Sequence, residues 1–336
     1  MKLFPALYVE KTEGSFSMRV RELALGELPP LATGNGPTAE LLVEVGYSSV
    51  NYKDALACSP DGKVVRQYPI VPGIDLAGTV VESESPAFRP GDKVLATGYE
   101  LGVARSGGYA KYARVPADWA VRLPEGLSAR EAMVYGTAGF TAALSVLALQ
   151  DGGVRPDSGP VLVTGASGGV GSLAVAMLAK LGYEAVASSG KEDMRGTLMG
   201  LGASKVISRE ELMTDPAKPL GRQLWAGAVD CVGGPQLASV LGTVRYGGTV
   251  AASGLTGGTL LPATVLPFIL RGIRLIGIDS VYAPMEIRQR IWPLLAGAWK
   301  PSGLAAMAED IALDEIPAAV QRMLQGESRG RLVVKL

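Results

Sequence analysis

The sequence predicts an α/β protein with a β-rich domain and a second domain that is a doubly wound parallel sheet. Three observations lead to this prediction. Short strand-like segments between Gly and Pro turns fill the first 135 residues, strands alternate with helices from about residue 160 to 280, and 48% of residues are apolar. At 336 residues, the chain is long enough for two cores. We expect residues 1–135, completed by 281–336, to form the first domain and 136–280 the second.

Four segments predict the strands of the first domain: 39–45, 76–83, 92–98 and 110–116. Turn sequences such as "VPGID" and "RPGD" separate them, at the spacing of a barrel-like β domain. The segment 138–149 carries apolar residues all round a helix, which indicates a buried helix.

The second domain is predicted from alternating elements: strands at 161–164, 183–190, 205–208, 227–233, 247–254 and 273–280, with helices at 191–201 and 235–244. This alternation is typical of a doubly wound parallel sheet. Two further helices and a closing strand follow residue 280, and we expect them to return to the first domain.

The composition excludes several classes of function. Lys+Arg and Asp+Glu both number 32, so there is no basic excess of the kind that nucleic-acid binders carry. The chain has no histidine, and its two cysteines, Cys58 and Cys231, do not form a ligand pair. We therefore expect no metal site, and the Ser-His-Asp and Cys-His mechanisms are excluded. Any chemistry rests on a bound cofactor, Tyr, Lys, Ser, carboxylates, backbone and water.

Membrane and secretory signals are not expected. The apolar stretch 260–278 is interrupted by two prolines and two arginines, and the N-terminal segment lacks the apolar core of a signal peptide. We expect a soluble, cytoplasmic protein.

A glycine turn is the strongest local signal. The strand at 161–164 runs into Ala166-x-Gly168-x-x-Gly171 and then directly into an apolar helix. Gly168 lets a pyrophosphate approach the backbone, Gly171 lets the helix pack on the strand, and the helix N-terminus faces the phosphates. The alternative is a tight turn without a ligand, but the strand–turn–helix setting favours a dinucleotide site of the Rossmann type.

The end of the next strand indicates the type of dinucleotide. An NAD site usually places an acidic residue there to bind the ribose 2′-OH. This strand ends in Ser188, Ser189, Gly190 and Lys191, whose hydroxyls and ammonium suit a 2′-phosphate. The alternative is an ordinary Ser-Gly turn with surface charges. The pattern favours NADPH.

The polar segment "SSVNYKD" follows the strand at 39–45. Such a segment in a β-rich domain, ahead of a dinucleotide domain, resembles the medium-chain dehydrogenase/reductase superfamily. Zinc-dependent members carry an early Cys ligand and a later His-Glu pair, whereas Ile74-Asp75 stands where that pair would be. The chain thus resembles the zinc-free quinone-oxidoreductase branch, which implies a GroES-like first domain.

The resemblance is closer to the acryloyl-CoA reductase group and spans nearly the whole chain. It rests on the blocks "NYKDAL", "PGIDLAGTV", "GTAGFTA", "VTGASGGVGS", "WAGAVD", "YGGTVAASGL", "LPFILR" and "GIDSV". It implies NADPH-dependent reduction of acryloyl-CoA to propionyl-CoA, and a homodimer paired through 273–280. It also implies these cofactor contacts: Tyr52, Ser167, Gly168, Gly169, Val170, Ser189, Gly190, Lys191, Arg209, Leu255, Ile269 and Ser280.

The implied chemistry needs no histidine. Hydride goes to the β-carbon of an unsaturated thioester, the thioester oxygen needs hydrogen-bond donors, and the α-carbon needs a proton. Tyr52 is the first catalytic candidate, with Asn51 and Lys53 as neighbours; Asp54 is considered as a residue that orients Lys53. The alternative is structural: Asn51 caps a helix, Tyr52 packs, and Lys53 and Asp54 face solvent.

Two other functions remain open at this point. An NADPH:quinone oxidoreductase would have the same fold without a CoA site. A non-catalytic NADPH-binding protein would not need the polar segment. We expect the substrate site near the carboxyl ends of the parallel strands.

Overall fold

The computed structural model describes residues 3–28, 39–215 and 218–336. The chain divides into two compact units. The first unit comprises Met1–Thr137, Val281–Ala296 and Gly303–Leu336, and the second comprises Ala138–Ser280 and Gly297–Ser302. Residues 136–137 and 297–302 thus fall in the other unit from the one that the predicted division gave them.

The strands are β1 Leu3–Thr12, β2 Ser15–Ala24, β3 Glu40–Ser49, β4 Asp75–Ser83, β5 Lys93–Thr97, β6 Tyr112–Pro116, β7 Val121–Arg122, β8 Val161–Val163, β9 Ala185–Ser188, β10 Lys205–Ile207, β11 Trp225–Asp230, β12 Val244–Ala252, β13 Arg274–Gly277, β14 Ala308–Ile311 and β15 Arg331–Lys335. The helices are α1 Tyr52–Ala57, α2 Ala129–Asp151, α3 Gly169–Lys180, α4 Arg195–Gly200, α5 Arg209–Leu212, α6 Gly234–Thr243, α7 Leu266–Arg271, α8 Met285–Ala296 and α9 Ile316–Leu324.

The first unit is built on a sheet in the order β14-β15-β3-β4-β5-β7, with β6 also paired to β3 and a separate β1–β2 hairpin. Side chains alternate across β3: Leu41, Val43 and Val45 belong to one buried cluster, and Leu42 belongs to another. This period of two gives the sheet a core on each face. The last strand, β15, lies against β3, so the C-terminal segment completes this unit.

The second unit contains six parallel strands in the order β10-β9-β8-β11-β12-β13. This is the strand order of a dinucleotide-binding sheet. All six residues of β11 are buried, as expected for a strand covered on both faces. The predicted α/β class, with a GroES-like and a Rossmann-type part, is confirmed.

Several element boundaries differ from the sequence prediction. The helix predicted at 191–201 is a 3₁₀ turn, Glu192–Met194, followed by the short α4. The strands predicted at 183–190 and 273–280 are shorter at both ends. A short helix, α5, follows β10 because Ser208 caps it and accepts a hydrogen bond from the Glu211 backbone (3.2 Å).

Helix α2 is longer than predicted, and it is broken at Gly136, where φ is +50° and ψ is −153°. By length and composition alone it would be able to cross a membrane. However, 83% of its most apolar window is buried inside the protein, and one such helix is weak support for a membrane span. Burial of this kind is typical of a core helix.

Candidate active site

Asn51 begins the polar segment of the first unit and lies directly before α1. It is 8% exposed. Its side-chain amide Nδ2 donates to Asp75 Oδ2 (2.7 Å) and to Asp54 Oδ2 (3.1 Å), and its backbone N–H also donates to Asp54 Oδ2 (2.9 Å). Asn51 therefore directs its donors at two buried carboxylates.

Asp54 lies in the first turn of α1 and is fully buried. Its Oδ1 accepts from the Ile74 backbone N–H (2.8 Å). Burial raises the pKa of Asp54 to about 7, and the nearby charge of Asp75 acts in the same direction. The alternative in which Asp54 faces solvent is wrong, because its carboxylate is buried and accepts these backbone and amide hydrogen bonds. That Asp54 orients Lys53 stays a prediction.

Asp75, at the start of β4, is the centre of the cluster. It accepts from the Ser49 hydroxyl (2.6 Å), from Asn51, and from the Thr137 backbone N–H (2.8 Å) and hydroxyl (2.5 Å). The break in α2 makes the last two contacts possible. A Cβ at Gly136 would collide with Asp75 Oδ2 and lie 2.7 Å from Ser49 Oγ, so this position needs glycine for space as well as for its positive φ.

Arg331 enters the cluster from β15 and is 3% exposed. Its Nε donates to the Val134 carbonyl (2.9 Å), and its Nη1 donates to the Val50 carbonyl (3.0 Å) and to Asn51 Oδ1 (3.2 Å). Burial lowers the pKa of Arg331, while the carboxylates of Asp75 and Asp54 oppose that shift. We name Ser49, Asn51, Asp54, Asp75 and Arg331 the carboxylate cluster.

Tyr52 and Lys53 are the two side chains of the segment that remain available. Tyr52 is 45% exposed, and Lys53 is partly buried. Within residues 3–28, 39–215 and 218–336, neither the Tyr52 hydroxyl nor the Lys53 ammonium has a hydrogen-bond or ion-pair partner. Both can therefore interact with a ligand without first breaking an internal bond.

The glycine turn of the second unit has the geometry that its sequence predicts. Gly168 precedes α3, and a Cβ on Gly171 would lie 2.7 Å from the Ala166 Cα, so the helix packs on the turn only because Gly171 has no side chain. Ser167, within the turn, accepts a hydrogen bond from the Ser189 hydroxyl (3.1 Å). This bond ties the turn to the end of β9.

The end of β9 brings further predicted residues together. The Lys191 backbone N–H donates to Ser189 Oγ (3.0 Å). Arg209, the first residue of α5, lies over Gly190: a Cβ on Gly190 would be 2.5 Å from Arg209 Nε and 2.7 Å from its Cζ. Among the described residues, Arg209 has no hydrogen-bond or ion-pair partner, so its donors are free for an anion.

The other predicted cofactor residues follow β12 and β13: Leu255 lies in the loop after β12, Ile269 in α7, and Ser280 after β13. Leu255 and Ile269 are exposed by 58% and 71%, so both side chains are accessible to a ligand. Ser280 is buried and accepts a hydrogen bond from the Thr141 hydroxyl (2.7 Å).

Asp230, at the end of β11, is a residue that sequence reasoning missed. It is fully buried; its Oδ1 accepts from the Thr164 hydroxyl (2.7 Å), and its Oδ2 accepts from the Gly233 backbone N–H (2.7 Å). Its carbonyl accepts from the Ser253 backbone N–H (2.9 Å). Asp230 thus joins the loops that follow β8, β11 and β12. Its position in "VDCVGG", at the end of a predicted apolar strand, could have identified it as a candidate residue of the dinucleotide domain.

Two known protein families match the chain. Residues 37–125 match the family described as "Alcohol dehydrogenase GroES-like domain", and residues 169–297 match "Zinc-binding dehydrogenase". The chain is 52% identical over 335 residues to the putative quinone oxidoreductase YhfP of Bacillus subtilis, covering 99% of both chains. It is 49% identical over 334 residues to the acrylyl-CoA reductase AcuI of Ruegeria pomeroyi, again covering 99% of both.

The chain belongs to the medium-chain dehydrogenase/reductase superfamily. Two solved structures of that superfamily are similar over nearly the whole length. B. subtilis yhfP with NAD bound has a TM-score of 0.95 at 51% identity and full coverage of both chains. The yhdH oxidoreductase of Salmonella enterica in complex with NADP has a TM-score of 0.93 at 48% identity, with 99% of both chains covered.

The superfamily includes zinc-binding members, so the donor set of this chain matters. Ile74-Asp75 stands where a His-Glu pair is expected, and the Asp75 carboxylate is already bound by four hydrogen-bond donors. Within the part of the chain that the structure describes, no group of three or more His, Cys, Asp or Glu side chains is arranged to hold a metal ion. That the protein works without zinc stays a prediction.

Proposed function

We propose that this protein catalyses the NADPH-dependent reduction of the C=C bond of acryloyl-CoA, or a similar short unsaturated acyl-CoA, to propionyl-CoA. The observation that carries the proposal is the identity of 49% to the acrylyl-CoA reductase AcuI of Ruegeria pomeroyi and of 48% to the "Probable acrylyl-CoA reductase AcuI" of Escherichia coli, both over nearly the full length. The site geometry supports the cofactor and the type of chemistry.

The residues of the second unit fit NADPH. The glycine turn leads directly into α3 at Gly169, and the first-turn N–H groups of a helix have no partner within it, so they suit a pyrophosphate. Arg209 over Gly190 has unused donors, and a guanidinium binds a phosphate through charge-assisted hydrogen bonds. We propose that Arg209, Ser189 and Lys191 bind the 2′-phosphate. The remaining contacts predicted at Ser167–Val170, Leu255, Ile269 and Ser280 are part of the same proposal.

When bound, NADPH supplies the hydride, which adds to the β-carbon of the substrate. The protein's part is to hold the substrate, stabilise the negative charge on the thioester oxygen and deliver a proton to the α-carbon. We propose Tyr52 for alignment or proton donation, since the residue is 45% exposed and its hydroxyl has no hydrogen-bond partner among the described residues. Lys53 is proposed as a neighbouring cation.

The second candidate is NADPH:quinone oxidoreductase activity. The 52% identity to the putative quinone oxidoreductase YhfP favours this activity. The solved yhfP structure has NAD bound, so the assay must compare NADH with NADPH. A non-catalytic NADPH-binding protein is a third candidate, but none of the contacts described in the site favours it. Parallel assays with acryloyl-CoA and a quinone, each with NADPH and with NADH, separate these functions.

We further propose a cytoplasmic homodimer. Strand β13 is the edge of the six-stranded sheet, so its outer backbone groups can pair with another strand. Ile269 and Leu270, in α7 just before it, are more than half exposed. A second copy of the chain would cover the β13 edge and Leu270, while Ile269 is proposed as a cofactor contact. The molecular mass in solution tests this, and a monomer at micromolar concentration contradicts it.

A further inference from the structure

Asn51 precedes Tyr52 in the chain, and both ends of its amide are fixed. Nδ2 faces the carboxylates of Asp75 and Asp54, and Oδ1 faces the guanidinium of Arg331. Rotating the amide would place an oxygen against two carboxylates and an NH₂ group against a cation. Asn51 therefore has one allowed orientation, in which its amide N–H groups face carboxylates and its Oδ1 faces a guanidinium.

Tyr52, in contrast, has no side-chain bond that holds it within the described residues. Its position depends on the backbone at the start of α1. That helix has only six residues, too few to be stable alone. The carboxylate cluster supplies the missing support, because Asp54 bonds the Asn51 backbone and Arg331 bonds the Val50 carbonyl.

We propose that Asn51 is a positioning residue, and that Arg331 and Asp75, by fixing its amide, set the place of Tyr52 in the active site. This inference rests on the proposed function, in which Tyr52 contacts the reacting groups. It assigns Arg331, nearly 280 positions away in the sequence, to the active site through its bonds to Val50 and Asn51.

The main test is Arg331→Lys, made alone and together with Tyr52→Phe. A lysine keeps the charge near Asp75, but a single ammonium cannot span the Val134 and Val50 carbonyls that the guanidinium joins. A misplaced Tyr52 lowers kcat, since a displacement of about 1 Å can cost about 100-fold. We expect kcat to fall about 10- to 100-fold by that principle, with the Kd of NADPH unchanged.

Arg288→Lys is the matched control. Arg288 is also buried and donates to the backbone carbonyls of Ala283 (3.1 Å), Thr97 (2.8 Å) and Val281 (3.0 Å) in the same unit. These three carbonyls lie outside the carboxylate cluster, although Thr97 pairs with Asp75 between β4 and β5. The variant therefore reports what loss of a nearby buried guanidinium does to stability. Both lysine variants are expected to lower the thermal midpoint.

The double-mutant cycle distinguishes positioning from general damage. If Arg331 acts through Tyr52, Arg331→Lys lowers kcat by less than about threefold once Tyr52 is Phe, while Arg288→Lys lowers it equally in both backgrounds. The proposal is overturned if Arg331→Lys lowers kcat by the same factor in the wild-type and Tyr52→Phe backgrounds. It is also overturned if Tyr52→Phe alone leaves kcat unchanged. Asn51→Ser, expected to behave like Arg331→Lys, replaces it if the lysine variant does not fold.

Hydrogen exchange gives a readout that needs no activity. We expect Arg331→Lys to lower the protection of amides in α1 more than Arg288→Lys does. Unchanged protection of α1 overturns the proposal even if the enzyme reduces acryloyl-CoA. Lowered protection of α1 supports the role of Arg331 in holding this helix, whatever the wild-type protein reduces. A wild-type protein that reduces no enoyl thioester would refute the proposed function separately.

Discussion

Gly190→Ala should weaken NADPH binding selectively. Gly190 has an ordinary φ, so alanine fits the backbone, but its Cβ would lie 2.5 Å from Arg209 Nε and 2.7 Å from Cζ. Carbon contacts are optimal at about 3.5 Å, so the guanidinium must move by about 1 Å. That displacement removes it from the position proposed for the 2′-phosphate.

The size of the effect follows from the bond that is lost. A hydrogen bond to a charged group contributes about 1.5–3 kcal/mol. At about 1.4 kcal/mol for each factor of ten, the Kd of NADPH should rise about 10- to 150-fold. NADH lacks the 2′-phosphate, so its Kd should stay within about twofold by the same reasoning.

Fluorescence titration with NADPH and NADH measures both constants. Gly196→Ala, in the nearby α4, is the matched control, because a Cβ there has nothing within 4 Å. It should leave both constants unchanged. Equal weakening of NADPH and NADH by Gly190→Ala, or no weakening at all, would refute the assignment of Arg209 to the 2′-phosphate.

Three further predictions concern buried groups. The pKa of Asp54 is raised from 3.8 to about 7, so the folded state favours its neutral form. The free energy of unfolding should therefore fall by up to about 4 kcal/mol as pH rises from about 4 to 7. Urea unfolding at several pH values measures this slope, and Asp54→Asn should flatten it. Asp230→Asn removes a carboxylate that accepts from Thr164 and Gly233 and so joins the loops after β8 and β11. It should destabilise the protein by about 1.5–3 kcal/mol and, in titrations, weaken NADPH and NADH equally. Selective loss of NADPH binding would contradict this. An alanine with a positive φ costs roughly 1–2 kcal/mol. Gly136→Ala should lower the free energy of unfolding by more than this, because its Cβ would also collide with Asp75. Gly91→Ala, with a positive φ but open space, should show only that backbone effect in the same denaturation assay, and equal losses at the two positions would argue against the close packing.

The dinucleotide part of the site was predictable because its signal is local. Gly168, Gly171 and the Ser189–Lys191 tip lie within about one strand–helix–strand unit, and each residue type has a direct physical reason. Arg209 follows the next strand end, where the order of parallel strands predicts a neighbour. The ends of the elements were less predictable, since caps such as Ser208 and breaks such as Gly136 depend on tertiary contacts.

The carboxylate cluster was not predictable in the same way. From the sequence alone, an aspartate beside a lysine in a polar segment is expected to face solvent. Burying its carboxylate costs free energy unless hydrogen-bond donors surround it. The hydrogen-bond donors to Asp54 are Asn51 in the same segment and the Ile74 backbone N–H just before β4. The neighbouring Asp75 is in turn bonded by Thr137 at the break in α2, which is distant in the chain. Only the fold brings Asp75 and Arg331 together with Asn51, so a sequence pattern around "NYKD" could not distinguish a reactive group from a positioning one.

The most direct test of the proposed function is the loss of NADPH absorbance when acryloyl-CoA is added to the purified protein, with a quinone under the same conditions as the comparator. The proposal predicts rapid oxidation of NADPH with the thioester, formation of propionyl-CoA, and little oxidation with the quinone. Turnover with the quinone alone would contradict the proposed substrate, and turnover with neither would contradict the proposed function.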